Sequence, residues 1–343
     1  MEQVLIRAEL FIQVGLDCGL MRHNTLKLSI VGRVDYVDED YEKLAVKAQT
    51  LIEKDVELQK HYFQRCFTFC TDGKPDEFDE VWNQIFNKVK NEQPSSMWNE
   101  LKSHEEVFHD LHGNNAWPIE ESNLGRVRRW VKGYSSKRCA TVNAGAMIKV
   151  YYGRCRTKSN ITFILGKPVD RLWYNRNRAS VKGVVLENGL PLRADSTILA
   201  TGAWSSLLVR LDQQMEANAV PIAYIRLIPE EYEQYKDIAC HTNLSTGFNL
   251  FTPIGGLLKI LRRLAGVQNT TTLKDPDDPA KTYRVSYPKT KVDDPLQWIS
   301  TEIEQSFRDE LKEIFPPLAD RPFENIRFCW FVSVVIQSIQ ACD

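Results

Sequence analysis

Apolar positions recur at helical spacing in several stretches of this chain. Over 39–57 they are Tyr41, Leu44, Ala45, Ala48, Leu51 and Ile52, with Asp38 placed to cap the first turn. Over 75–90 they are Phe78, Val81, Trp82, Ile85, Phe86 and Val89. Shorter helices are predicted at 103–111, at 144–154 behind Asn143, and at 229–236. A strongly amphipathic one spans 298–315 and is stopped by Pro316 and Pro317. Between them lie runs with strand character. Residues 169–174, 181–187 and 190–193 read as a three-strand meander, with turns at 175–178 and at Asn188-Gly189.

The meander leads into DSTILATGAWSSLLV at 195–209. Residues 196–200 read as a buried strand, Thr201 and Gly202 as a break, and 203–211 as a helix start. Gly202 has no side chain, so backbone N–H groups there can approach a phosphate or a ribityl chain. An ordinary turn in any α/β protein has the same pattern. Residues 66–69 are a short apolar segment ended by Asp72-Gly73, and further strands are predicted at 161–165, 220–227 and 326–335. Residues 249–253 and 257–261 form a hairpin around Ile254-Gly255-Gly256. Residues 268–288 cannot be assigned regular structure, and the polar, proline-bearing run 275–279 reads as a loop.

The 343 residues suggest two domains. A net charge of -1 gives no electrostatic reason to expect nucleic acid or an anionic membrane as a partner. No apolar run reaches the roughly 18 residues of a membrane span. The first twenty residues are too acidic and broken for a secretory signal, and the C-terminus carries no peroxisomal address, so an intracellular, cytoplasmic location is expected. In that setting the eight cysteines are reduced thiols.

Three chemical readings are weak. Residues 10–14 with Gly15 and Gly19 resemble a dinucleotide turn, but the middle glycine is missing and no room remains for the crossover helix and next strand. That absence also weighs against a nicotinamide dehydrogenase. Glu105, His109 and His112 share a helical spacing that could offer metal ligands. No further ligand is obvious, so a solvated polar face is the better reading and no metal is expected. Arg126, Arg128, Arg129, Lys132, Lys137 and Arg138, interleaved with Trp130 and Tyr134, look like a nucleic-acid patch, but the neutral whole argues against it.

The motifs ADSTILATGAW, AYIRLIPEEYEQYKDI, NLSTGF, GGLLKI, PPLADRPF and RFCWF occur in this order. Together they resemble the fungal sarcosine oxidase group of FAD-dependent amine oxidases, which includes pipecolate and fructosyl amino acid oxidases. The resemblance covers roughly residues 28 to 330. It implies an α/β fold: an FAD-binding, Rossmann-like domain, incomplete here, joined to a substrate domain with a mainly antiparallel sheet. The expected partition is 1–50, 130–215 and 322–343 for the flavin domain and 51–129 and 216–321 for the substrate domain. The implied reaction is oxidation of the C–N bond of a small secondary amine or amino acid. Oxygen is the acceptor and hydrogen peroxide a product. A monomer is expected.

The resemblance also implies site residues. Lys259 matches a lysine over the flavin that activates oxygen, where an ammonium would stabilise developing negative charge; it could otherwise be a sheet-edge lysine facing water. Cys329 matches the cysteine that bonds covalently to the flavin, or it is a buried core cysteine. Arg33 matches an arginine gripping the substrate carboxylate, or it forms a surface ion pair. Val169 would lie against the adenine, or be a plain strand residue. Ala200, Thr201, Gly202, Ala203 and Trp204 would line the other side of the cofactor. There are departures. The phosphate-binding unit is not recognisable, Ile30 replaces a basic residue, Ala146 replaces a tryptophan, and FVSVVIQSIQACD does not resemble the family's continuation. The chain is therefore expected to be truncated at both ends. The alternative reading is a catalytically inactive member acting through protein contacts.

Overall fold

Strands carry most of the architecture. In chain order the elements are β1 (Ser29–Gly32), α1 (Glu39–Lys54), β2 (Tyr62–Gln64), β3 (Phe67–Thr71), α2 (Glu77–Glu92), β4 (Trp98–Leu101), α3 (His104–His112), β5 (Lys132–Ser136), β6 (Ala140–Asn143), α4 (Ala144–Arg156), β7 (Val169–Tyr174), β8 (Val181–Leu186) and β9 (Pro191–Arg193). A 3₁₀ turn at Gly202–Trp204 precedes α5 (Ser205–Leu208). There follow β10 (Met215–Arg226), α6 (Pro229–Tyr235), β11 (Cys240–Asn243), β12 (Phe248–Leu250), β13 (Leu257–Arg262), β14 (Thr270–Lys274), β15 (Thr282–Ser286), α7 (Thr301–Ile314) and β16 (Phe323–Val334). The computed structural model describes residues 29–32, 35–36, 38–64, 66–113, 128–211, 214–263, 266–275, 280–289 and 299–334.

Eight strands form one sheet in the order β16-β10-β13-β12-β11-β3-β5-β4. Its pairs are antiparallel except β3 with β11, which run parallel. Smaller sheets are β1-β6-β2, the meander β7-β8-β9 and the hairpin β14-β15. Pro221 lies in the middle of β10, where a missing N–H would normally break a ladder. On the β13 side it falls between the Ala219–Val267 bridge and the first β13 pair at Ile222, so no ladder bond is lost there.

The sheet has two different faces because successive side chains alternate. One face carries Ala223, Ile225, Phe248, Leu250, Leu258, Ile260 and Ile326. It packs on Phe307, Leu311 and Ile314 of α7 and Val107 and Leu111 of α3, and this is the largest core cluster. The other face carries Phe67, Phe69, Tyr134, Cys240 and Phe251, covered by Trp82, Ile85, Phe86 and Val89 of α2. Beyond α2 the same face continues as Ile222, Tyr224, Leu257, Leu261 and Cys329.

Side-chain caps set several helix starts. Asp38 accepts from the N–H groups of Asp40 and Tyr41, and Asn143 from that of Ala146. Three predicted elements need correction. Residues 196–200 and 161–165 are not strands: neither has a ladder partner among the described residues, and Ile198 is 84% exposed. A strand needs a neighbour to satisfy its backbone, and an apolar run alone does not provide one. The helix expected over 203–211 is only the 3₁₀ turn and the single turn of α5. Conversely, 268–288 contains the hairpin β14-β15, whose Thr270-Thr271-Thr272 run is a β-branched signal without apolar alternation.

Gly247 has φ +69, and a Cβ there would lie 1.5 Å from the Arg263 carbonyl oxygen at the open end of the β12–β13 pair, away from its connecting turn. Gly247→Ala is expected to destabilise the fold by roughly 2–4 kcal/mol. Gly153→Ala, on an open face of α4 with nothing within 4 Å, should stabilise by about 0.5–1 kcal/mol. Denaturant melts of the two variants check both signs.

Candidate functional site

The face beyond α2 is where chemically active side chains collect. Lys259 pairs with Tyr224 across β13 and β10, so the two share a side. Cys329 pairs with Val220 across β16 and β10. Val220 and Tyr224 are four residues apart on β10 and therefore point the same way. Lys259 and Cys329 thus rise from one side of the sheet, with Cα atoms about 16 Å apart by four residue rises and two strand spacings. β13 is an interior strand and Lys259 is 6% exposed, so it is not an edge lysine facing water. Its ammonium lies 4.2 Å from the Phe251 ring centroid. Cys329 is half-buried on the edge strand and packs against the small cluster that contains Ile222.

The turn after residue 200 reaches the same region. Gly202 takes φ +52, a left-handed conformation suited to glycine. Gly202–Trp204 packs against β10 and β16, and α5 packs against β7, the strand that begins at Val169. Three contacts fix the corner: Ala203 is buried, the Thr201 and Ser205 hydroxyls share a 2.8 Å hydrogen bond, and the Ser206 hydroxyl donates to the Ser286 carbonyl at 3.1 Å. Thr201 is buried; Ala200, Trp204 and Val169 are half-buried. The structure therefore places Lys259 and Cys329 on one face of the β13-β10-β16 ladder and the 201–204 corner against β10 and β16, tied near Ala217. Arg33, Gly15 and Gly19 lie outside the described residues. Asp35, two residues beyond Arg33, is buried and accepts from Gln93 Nε2 at 2.7 Å and from the Tyr134 hydroxyl at 3.4 Å.

The sequence reading missed Tyr224 and Arg327. Arg327 sits two residues before Cys329, so strand alternation alone puts it on the same side. It is 6% exposed, and its Nη2 donates to the Tyr224 hydroxyl at 2.7 Å. The resulting donor set is an ammonium, a guanidinium, a phenol and a thiol over an apolar floor. That chemistry fits a flat, electron-accepting ring system whose polar edge gains negative charge.

Other candidates resolve as structure. Half of the basic stretch is paired: Lys132 with Asp79, Arg138 with Glu42 and Arg129 with Glu313, while Trp130 and Tyr134 are fully buried; Arg128 and Lys137 are exposed and Arg126 lies outside the described residues. His112 is not on a solvated face. It is buried, and Nε2 donates to the Ile314 carbonyl at 2.6 Å; burial depresses its pKa to about 4. Glu105 and His109 remain exposed. No helix among the described residues is long and apolar enough to cross a membrane.

Comparison with known proteins matches residues 12–332 to the profile of FAD dependent oxidoreductases. The chain belongs to this family. L-saccharopine oxidase of Schizosaccharomyces pombe is 25% identical over 317 residues, covering 87% of this chain and 68% of that protein. Among solved structures, the fructosyl peptide oxidase of E. terrenum superposes with a TM-score of 0.74 at 18% identity, covering 90% of this chain and 68% of that one. The Aspergillus fumigatus fructosamine oxidase, Amadoriase II, gives 0.68 at 24% identity, covering 90% and 65%. The mixed large sheet with its smaller antiparallel sheets is thus the fold of this oxidoreductase family.

On the opposite side of the sheet, Glu310 of α7 is 1% exposed and accepts from Trp130 Nε1 at 2.7 Å; burial raises its pKa to about 7. A carboxyl raised in the folded state adds stability below its unfolded value, and that stability is lost as pH climbs through about 7. Glu310→Gln is therefore expected to gain on the parent by on the order of 2–3 kcal/mol between acid and neutral pH. Melts of both proteins across that range test it, and a pH-independent difference refutes it.

Proposed function

We propose that this chain is an FAD-dependent oxidase of a small secondary amine or amino acid, with oxygen as acceptor and hydrogen peroxide as product. One observation carries the reading: Lys259 and Cys329 rise from the same face of one ladder, and the Gly202 corner packs against two of its strands, β10 and β16. FAD, when bound, supplies the two-electron acceptor. The family membership and the saccharopine and fructosyl peptide oxidases among the relatives support an amino-acid-type substrate.

In this reading each side chain has a physical task. The Lys259 ammonium, held in place by Phe251 and screened from water, offers fixed positive charge where oxygen takes up electrons. The Cys329 thiol stands where a tether to the ring would form, on a thiolate's nucleophilicity. Thr201, Gly202, Ala203 and Trp204, with Ala200 and the start of β7 at Val169, make the wall along which the cofactor's chain would run. Arg33 is assigned the substrate carboxylate, which a guanidinium binds through two parallel hydrogen bonds.

The test is direct. The purified chain is mixed with FAD and its visible spectrum recorded before and after acid precipitation. Bound yellow colour is expected, and colour that stays with the precipitate, but not in Cys329→Ser, marks the tether. A chain that stays colourless removes the oxidase reading and leaves the non-catalytic one. Peroxide release with sarcosine, pipecolate, saccharopine and fructosyl-valine then sorts substrates. Lys259→Met should slow reoxidation by oxygen about a hundredfold while leaving anaerobic reduction nearly unchanged. Equal losses in both half-reactions would remove the assigned role.

A further inference from the structure

The rows across the β13-β10-β16 ladder give an order to the active face. Lys259, Tyr224 and Asn325 make one row. Leu261, Ile222 and Arg327 make the next, and Val220 and Cys329 the third. Arg327 therefore lies between the lysine row and the cysteine row, on the same side as both. Its side chain leans towards the lysine row: Nη2 bonds the Tyr224 hydroxyl, and the guanidinium carbon stands 5.5 Å from the Tyr224 ring centroid. One buried cation thus engages the tyrosine from β16, while Lys259, the tyrosine's pair on β13, sets its ammonium on Phe251.

We propose that Arg327 is a second cation beneath the flavin ring, which holds negative charge on the ring's pyrimidine edge. The inference rests on the FAD reading above. A ring reaching from Cys329 towards Lys259 must cross the Arg327 row, because no other row separates them. A substrate would then lie on the far side of the ring from the sheet, so Arg327 acts on the ring and does not grip the substrate. The competing view is that Arg327 only anchors Tyr224. It differs in one respect: an anchor does not care whether the ring becomes negative.

Sulfite separates the two views without turnover. Its sulfur lone pair forms a bond to N5 of the oxidised ring, and the displaced electron pair ends as negative charge on the N1–C2 carbonyl edge. The adduct is read as bleaching of the visible band of the FAD-loaded protein. Arg327→Met is expected to weaken sulfite binding by about tenfold or more, and Arg327→Lys, which keeps the charge, by no more than about threefold. Equal weakening in both variants, or none in either, overturns the proposal, as does a parent protein that binds FAD but no sulfite. A parent that takes up no FAD removes this inference together with the functional reading, whereas normal FAD uptake with unchanged sulfite affinity in Arg327→Met removes only the role of Arg327. Should Arg327→Met not fold by circular dichroism, Tyr224→Phe serves. It unties the guanidinium while keeping both cations, so a several-fold loss of sulfite affinity is expected and an unchanged affinity overturns the proposal.

Discussion

The pairing of β10 with β16 is the constraint on which the rest depends. It runs from Met215–Val334 to Ile225–Phe323, with one irregularity near its end at Tyr224 and Ile225. Because side chains alternate, this register decides which residues enter the core and which share the face of Lys259 and Cys329. As built, Ile326 faces α7 with Phe328 packed against the same core, while Arg327 and Cys329 face the other way. A slip by one residue would bury a guanidinium and a thiol among Phe307, Leu311 and Ile314 and turn the apolar residues outward. The loss of apolar burial and the desolvation of an arginine both oppose that slip. The same pressures act on β13, where Leu258 and Ile260 bracket Lys259.

Charge is sorted by the same sheet. On the α7 side, the buried carboxylates Glu310 and Glu313 are engaged by the segment around Trp130: Glu313 Oε1 accepts from the N–H groups of Arg129 and Trp130 at 2.8 and 3.0 Å. These bonds fix how the chain enters β5, and the Arg129 guanidinium pairs with the same carboxylate. On the other side, Lys259 and Arg327 are set among aromatic rings and a phenol. Glu310 and Glu313 belong to the structural face, and Lys259 and Arg327 to the opposite one. Replacing a member of the first set perturbs folding, and replacing a member of the second leaves most apolar burial intact.

Much of this was legible in the sequence where a local physical rule operates. Helix starts at Asp38 and Asn143 follow from their capping side chains, and the meander over 169–193 follows from Asn-Gly turn chemistry. Where partners come from far along the chain, local rules fail. Ser196 to Ala200 has the composition of a strand but no neighbour to pair with among the described residues. His112 has the spacing of a polar face, yet its partner is the Ile314 carbonyl, about two hundred residues away. Arg327 was within reach, since alternation from Cys329 gives its side, but Tyr224 becomes visible only once the β10–β13 register is known.

The Gly202 corner, the proposed cofactor wall, keeps its place in an unusual way. In a wound α/β sheet, the strand before such a turn normally positions it. Here the preceding residues carry no ladder, and Ile198 is almost fully exposed. The corner is instead held from behind and beneath, by Ala203 buried at the turn, by the Thr201–Ser205 hydroxyl bond and by Ser206 reaching β15. Ser286, which receives that last bond, itself donates to the Ala217 carbonyl of β10. The wall is therefore tied through two hydroxyls to the strand that sets the register of Lys259 and Cys329. Its distance from those side chains is fixed by the large sheet and does not require order in the residues that lead into it.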